Sequence, residues 1–548
     1  MDKVSANLWV GASTEQENII HSKGSVCVSA CPGSGKTWTA ARMFINRSLN
    51  KINHRRGIAF ISHTNIAVEE FIRQVKEINK SIDVNQFNFI GTIDSFVEKF
   101  VISPFFYIFP RLTKRPYCTT FNDSNYAFKL RTEDKYPISI NDIQCSYSDS
   151  CRVYTARDRY NKVILDSSNV ESVFAQALYT CGIYSHEMRW YIVDVILQNE
   201  NILRCIANRF SDIIIDEAQD TRDVAFYIIN KLKRAATIEL NISLIGDINQ
   251  SIYSFTGASI ATYLSAINMW RLTPLSLTEN RRSFSGVTDG VKSLFGIKMT
   301  PVEADLGGGI FYLSKSEYER IDKEKIANYF NILPQNVKIL SRHKPYRKVN
   351  ITSYVNNLFE VCKQRDFFND PLSAYRELVK FVKSTNNHFQ VETGKFIPQI
   401  WNILMNKELV PSLNFPWTRW REKMIAGLKQ LEIDLGIDDI RISRLRKPKL
   451  ILEDIHINQQ ISVGDERQTV HSVKGETYDG VIFSDDDFVW AKLAKHKPND
   501  GVIDDEELRI IYVAITRARK FALLVLPDAH LDKYSSLWNR KLPKFSLN

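Results

Sequence analysis

One short segment constrains this chain more than any other: Ala30-Cys31-Pro32-Gly33-Ser34-Gly35-Lys36-Thr37. It follows the apolar run SVCVSA (25–30), which reads as a buried strand, and it opens KTWTAARMFINRSL, which reads as a helix. Gly33 and Gly35 allow a tight turn whose backbone N–H groups converge on one point, and the helix N-terminus adds partial positive charge there. Lys36 suits the outer phosphates of a nucleotide, and the Thr37 hydroxyl suits Mg²⁺. The alternative is a glycine-rich turn that holds no nucleotide. A second Gly-Lys, in ETGKF (392–396), lacks the preceding strand and the upstream small residue.

Around this anchor, strand-like and helix-like patterns alternate. GIAFIS (57–62), DIII (212–215) and NISLIG (241–246) read as strands, and Ala67, Phe71, Val75 and Ile78 recur at helical spacing. Later, VKIL (337–340), YDGVIF (478–483) and FALLVL (521–526) read as strands, and EELRIIYVAITRARK (506–520) as a helix. Such alternation predicts an α/β protein with parallel sheets covered on both faces. A chain of 548 residues should hold roughly three to five domains. The simplest division is two cores, each with an inserted subdomain: a first core over 1–104 and 191–275 with an insertion at 105–190, and a second core over 276–345 and 461–548 with an insertion at 346–460.

Composition narrows the class. Hydrophobic residues at 44% and charged residues at 24% exclude a mainly disordered chain. The most apolar long stretch, Val170 to Gln198, carries Glu171, His186, Glu187, Arg189 and Asp194, so no membrane span is expected. MDKVSANLWVG lacks a basic segment followed by an apolar core, so a cytoplasmic protein is expected. A formal net charge of +10 permits a polyanionic partner. None of the eight cysteines forms a C-x-x-C pair, which favours reduced thiols over a metal cluster among Cys118, Cys145, Cys151 and Cys181.

Asp216-Glu217-Ala218-Gln219-Asp220 follows DIII. Carboxylates at the C-terminal end of a buried parallel strand reach the crevice where ligands sit. Asp216 is placed to hold Mg²⁺, and Glu217 to polarise an attacking water. The alternative is an ordinary acidic first turn of a helix.

DEAQD and GDINQSIYSFTGA (246–258) together resemble the UvrD/Rep/PcrA-like group of superfamily 1 DNA helicases. The group's other segments follow in order: Gln16 in TEQENII, ISHTNIAVEE (61–70), GTIDSF (91–96), LTENRRS (277–283), ILSRH (339–343), TVHSVKGETYDGVIF (469–483) and EELRIIYVAITRAR (506–519). The resemblance implies two RecA-like cores of the P-loop NTPase class with ATP and Mg²⁺ between them, and 3′-to-5′ movement along single-stranded or tailed duplex DNA. It implies that Gln16 reads adenine, that Gln250 senses the γ-phosphate, and that Arg282 and Arg517 reach it from the second core. It offers His63, Thr64, Asn65, Thr92, Ser95, Tyr253, Phe255, Arg342 and His471 as DNA contacts, and Gly475 and Glu476 on the nucleotide side.

The pattern is not followed everywhere. Adenine in the group lies between an arginine after the loop threonine and the tyrosine of N-Y-R-S; here those positions hold Trp38 and Arg281. Either the base still lies between one ring and one guanidinium, or Trp38 packs as core and Arg281 faces solvent. His63, Phe255 and Thr256 replace Phe, Trp and Arg, so Tyr253 and Phe255 either stack bases or pack inward. KGETYD departs from K-G-L-E-F, leaving Glu476 and Thr477 both open as ribose contacts. FPWTRWREK (415–423) and RISRLRKPK (441–449) read as solvated basic faces rather than nucleic-acid sites, and FFYIF (105–109) as core or partner surface.

The short insertions, and the roughly 30 residues after Arg517, suggest a minimal motor without a fused nuclease. Minimal members of the group resemble those encoded beside OLD-family nucleases, including the helicase subunit of the Gabija anti-phage system. Two functions are therefore expected as candidates. One is an autonomous helicase or translocase. The other is an ATPase subunit of a hetero-oligomeric defence complex that licenses a TOPRIM nuclease.

Overall fold

The computed structural model describes residues 10–50, 55–79, 87–112, 114–118, 129–130, 138–139, 143–148, 151–157, 162–254, 257–303, 308–321, 323–342, 468–485, 487–497 and 501–546. Phe255 and the basic stretches at 415–423 and 441–449 lie outside them. The described residues belong to one compact unit, formed from 1–119, 129–344 and 466–548.

The first sheet has six parallel strands: β1 (Val26–Ala30), β2 (Gly57–Ser62), β3 (Phe89–Thr92), β4 (Phe210–Asp216), β5 (Asn241–Gly246) and β6 (Thr273–Leu277). Their order is β6-β1-β5-β4-β2-β3. Every residue of β2 is buried, as a strand covered on both faces requires. Register sets the chemistry: Val28 lies beside Ile245 and Ile245 beside Asp216, so the carboxyl ends of β1, β5 and β4 emerge level. Pro274 sits in β6, at the sheet edge, where a missing N–H is tolerated. Helices α1 (Thr14–His21), α2 (Lys36–Asn50), α3 (Asn65–Ile78) and α4 (Asp223–Ala235) cover the sheet. Phe71 of α3 stacks on Phe60 and meets Phe44 of α2 edge-on, joining two helices to the sheet.

The second sheet has five parallel strands: β7 (Gly309–Ser314), β8 (Val337–Ser341), β9 (Gln468–Thr469), β10 (Tyr478–Ser484) and β11 (Ala518–Leu526), ordered β7-β11-β10-β8-β9. It packs with α5 (Ser285–Phe295), α6 (Glu506–Ile515) and α7 (Asp528–Lys541) around Tyr512, Trp490 and Trp538. The two sheets are RecA-like cores, as expected.

One element differs from the sequence reading. Helix α6 stops at Ile515 rather than running to 520, because the Thr516 hydroxyl donates back to the Tyr512 carbonyl at 2.8 Å and Ala518 pairs with Tyr478 to begin β11. Arg517 therefore stands at a helix–strand junction.

Between β3 and β4 lies an antiparallel meander of Ile143–Ser148, Cys151–Arg157 and Lys162–Leu165. It meets α4 through Tyr147 stacked on Tyr227 at 3.9 Å between centroids. Arg152 bridges Glu171 and Asp194 on neighbouring helices. Within FFYIF, Phe109 is buried and Tyr107 is exposed. No helix among the described residues is long and apolar enough to cross a membrane.

Candidate functional site

Residues 30–37 form a tight loop between β1 and α2. Gly33 and Gly35 take φ of +72° and +79°, a left-handed conformation that glycine adopts without strain. The second core roofs the loop. A Cβ at Gly33 would lie 2.5 Å from Arg282 Cβ and 2.9 Å from Asn280 Oδ1, and the Arg281 N–H donates to Gly33 O at 3.0 Å. Ala30 and Pro32 are buried, and the Ser34 hydroxyl donates to Cys31 O at 2.8 Å. Burial pushes the Cys31 thiol up to about 12, with the charge of Asp247 adding to it, so it stays protonated. Gln16 fixes the loop from α1: its Nε2 donates to Ser34 O at 3.2 Å, and its Oε1 accepts the Ser13 N–H at 3.1 Å as half of a capping box.

The acidic strand end faces this loop. The Thr37 hydroxyl donates to Asp216 Oδ2 at 3.2 Å, which brings together the two side chains expected to ligate Mg²⁺. Glu217 takes φ +50°, a strained conformation for a side chain with a Cβ. Its carboxylate accepts from Gln219 Nε2 at 2.7 Å. Burial and the charge of Glu217 push Asp216 up to about 7. Burial raises Glu217 too, but Lys36, Lys474, the Gln219 amide and Arg517 outweigh it and hold that group at about 2. A buried acid with a raised pKa beside a hydroxyl suits a cation that would replace its proton. Among the described residues no three His, Cys, Asp or Glu side chains could hold a metal ion together. The donor set thus fits Mg²⁺ that draws its other ligands from phosphate and water.

Two arginines come from the second core. Arg517 is 2% exposed and donates to Gln250 Oε1 at 2.8 Å, so it is no solvated helix cation. The other end of the Gln250 amide donates to Asp247 at 2.8 Å. Arg282 donates to Thr516 O at 3.0 Å, and burial, with the nearby Arg517 charge, lowers its pKa to about 9. Sequence reasoning missed Lys474, whose ammonium binds Asp220 and donates to Gln250 O at 2.7 Å. It also missed Asn249 and Arg509. The Asn249 amide donates to Gly501 O and accepts the Ile503 N–H, both at 2.8 Å, while Arg509 donates to Ser251 O at 2.7 Å. A basic residue in KGETYD and the polar positions of GDINQ were the available signals.

Several expected DNA-contact residues converge. His63 lies 5.0 Å from the Tyr253 ring, and Tyr253 lies 5.7 Å from His471, between ring centroids. The Tyr253 hydroxyl donates to His471 O at 3.2 Å. Thr64 caps α3 ahead of exposed Asn65, and Thr92 caps the next short helix with exposed Ser95 beside it. Arg342 instead pairs with Glu507 at 2.8 Å inside the second core. Gly475 and Glu476 are exposed, and the Tyr478 hydroxyl donates to Glu476. Trp38 has a guanidinium on its face, but it is that of Arg42, at 3.4 Å. Val10, Trp38, Arg42, Arg73, Gln74, Glu77 and Ile78 line a cavity of about 390 Å³ beside it. Arg281 is exposed and donates to Gly11 O and Glu279, each at 3.1 Å.

A phosphate loop, paired carboxylates and arginines from a second parallel-sheet core define a two-core P-loop NTPase. More narrowly, residues 12–270 match the UvrD/REP helicase N-terminal domain. It is 23% identical over 467 residues to RecBCD enzyme subunit RecB of Haemophilus influenzae, covering 62% of this chain and 38% of that one. It is 23% identical to a probable DNA helicase II homolog of Mycoplasma genitalium, covering 60% of this chain and 56% of that one. With Gabija protein GajB of Bacillus cereus it shares 22% identity, over 95% of this chain and 96% of that one. The chain thus spans little more than half, or less, of the first two relatives. A PRRSV helicase structure aligns over 94% of this chain and 55% of its own at a TM-score of 0.31 and 9% identity.

Proposed function

We propose that this chain is an ATP-dependent DNA helicase or translocase that moves 3′-to-5′ on single-stranded DNA. The observation that carries the reading is the cluster in which Lys36, Glu217, Gln250, Arg282 and Arg517 meet across two cores, with Gln250 and Arg517 buried at its centre. In this mechanism the loop backbone and Lys36 hold the β- and γ-phosphates. Thr37 and Asp216 would hold Mg²⁺, which supplies charge neutralisation on the phosphates. Glu217, kept ionised by its cationic neighbours, takes a proton from the attacking water. The water oxygen bonds to the γ-phosphorus as the bond to the β–γ bridging oxygen breaks, and ADP leaves. Arg282 and Arg517 stabilise the charge that develops. Gln250, already bound to Arg517, carries the change toward Tyr253, where bases would rest on Tyr253, His63 and His471.

Purified protein should hydrolyse ATP faster with oligo(dT) and unwind a 3′-tailed duplex but not a 5′-tailed one. Unwinding of the 5′-tailed substrate alone would refute the polarity. Stimulation by oligo(rU) and not by oligo(dT) would refute DNA as the track.

Near end-to-end coverage of GajB favours a second reading, an ATPase subunit of an anti-phage complex that licenses an OLD-type TOPRIM nuclease. Under it, the purified chain alone hydrolyses ATP with little unwinding, and co-purification from the native host recovers the nuclease.

A further inference from the structure

Arg222 lies five residues after Glu217 and occupies the position just before α4 as the chain leaves the acidic turn. Its guanidinium grips Glu187 with both ends, Nη1 donating to Oε1 at 2.9 Å and Nη2 to Oε2 at 2.8 Å. The same Nη2 donates to Cys145 O at 3.2 Å, and the Cys145 N–H donates to Glu187 Oε2 at 3.0 Å. Cys145 belongs to the first strand of the inserted meander. The Arg222 backbone bridges Ala258, and the Asp223 N–H donates to Gly257 O at 3.2 Å, just beyond the Tyr253 segment. Four parts of the chain thus meet at Arg222: through its backbone the acidic turn and the segment just beyond Tyr253, and through its guanidinium the meander and Glu187, which precedes helix Met188–Ile196. Both partners are largely shielded, Arg222 at 20% side-chain exposure and Glu187 at 19%. A bidentate pair of that kind fixes orientation as well as distance.

We propose that Arg222 and Glu187 are a positioning pair that passes load on the inserted meander to the strained Glu217 turn, so that a bound polynucleotide raises turnover. The turn has no other polar tie to the meander among the described residues that runs through its own flanking residue. Its left-handed Glu217 is a conformation that surrounding structure must hold in place. This inference rests on the reading of the chain as a DNA-stimulated ATPase.

The test is a double-mutant cycle of Arg222→Gln, Glu187→Gln and the two together. It reads ATP turnover with and without saturating oligo(dT), KM for ATP, oligo(dT) affinity and the urea midpoint. Each single variant should lower the stimulated-to-basal ratio roughly tenfold, with KM and oligo(dT) affinity within about twofold. The double variant should lose no more than either single one, because the residues act as a unit. An unchanged ratio in both single variants overturns the proposal. So do additive losses in the double variant, or a loss that only follows weakened oligo(dT) binding or a lowered urea midpoint. If the unaltered protein shows no stimulation by oligo(dT), the functional reading has failed, and that result is separate from all of these.

Discussion

At the scale of single residues, the division of labour between two adjacent carboxylates follows from what surrounds them. Burial raises both; at Glu217 Lys36, Lys474, the Gln219 amide and Arg517 outweigh it, whereas at Asp216 the like charge of Glu217 adds to it. Glu217→Gln should keep nucleotide affinity, read with a fluorescent ATP analogue, while turnover falls by roughly two to four orders of magnitude. Turnover within a few-fold of the unaltered enzyme would remove Glu217 from the proton transfer. Gly33→Ala should fail differently. Its Cβ would press on Arg282 Cβ at 2.5 Å and the backbone would be strained at φ +72°, so both nucleotide affinity and the urea midpoint should drop. Asp220 gives a pH signature. Burial pushes it up to about 6 despite Lys474. A folded chain with a raised acid binds more protons than the unfolded chain between about pH 4 and 6, so this group's contribution to stability improves as pH falls from 6 toward 4. In Lys474→Met the buried carboxylate loses its cation, at a cost of roughly 3–5 kcal/mol when ionised. The urea midpoint of that variant should therefore be hurt more at pH 8 than at pH 5.

At the scale of elements, legibility followed burial. The phosphate-loop strand, β2, β5 and β10 were readable because short, mostly apolar runs rich in β-branched residues and bounded by turn residues fit covered strands. Strand β6, with only Leu277 buried and Pro274 in its middle, has no such run, and β3 is four residues long. The end of α6 was misread because ITRAR continues a helical pattern; what stops it is the Thr516 hydroxyl and the pull of β11, a long-range pairing. At the site, motif spacing made Lys36, Glu217, Gln250 and Arg517 legible. Arg42 beside Trp38, Lys474 against Asp220, and the Asn249–Gly501 contact were not, because partners from distant segments leave no periodic trace. Trp38→Ala uncovers Arg42 and one wall of the neighbouring cavity. If a base lies there, KM for ATP should rise roughly tenfold with kcat little changed; an unchanged KM places the base elsewhere.

At the scale of the whole molecule, the two cores are held together by polar stitches as well as by packing. Asn249 clasps the 501–503 loop, Arg509 caps Ser251, and Arg517 meets Gln250. Asn249→Ala should weaken the clasp without touching any group in the reaction. The expected result is a larger radius of gyration by small-angle X-ray scattering without nucleotide, and slower turnover at unchanged ATP affinity. An unaltered scattering curve would show that the clasp does not set the distance between the cores. Lys474 adds an asymmetry to this arrangement. The one ammonium neutralises Asp220 and lies 5.0 Å from the centroid of the Tyr253 ring. Prying the lobes apart would take the cation from Asp220 and uncover an aromatic face in the same movement. Parting at this point thus costs an ion pair and a ring contact together, and one side chain couples the two losses.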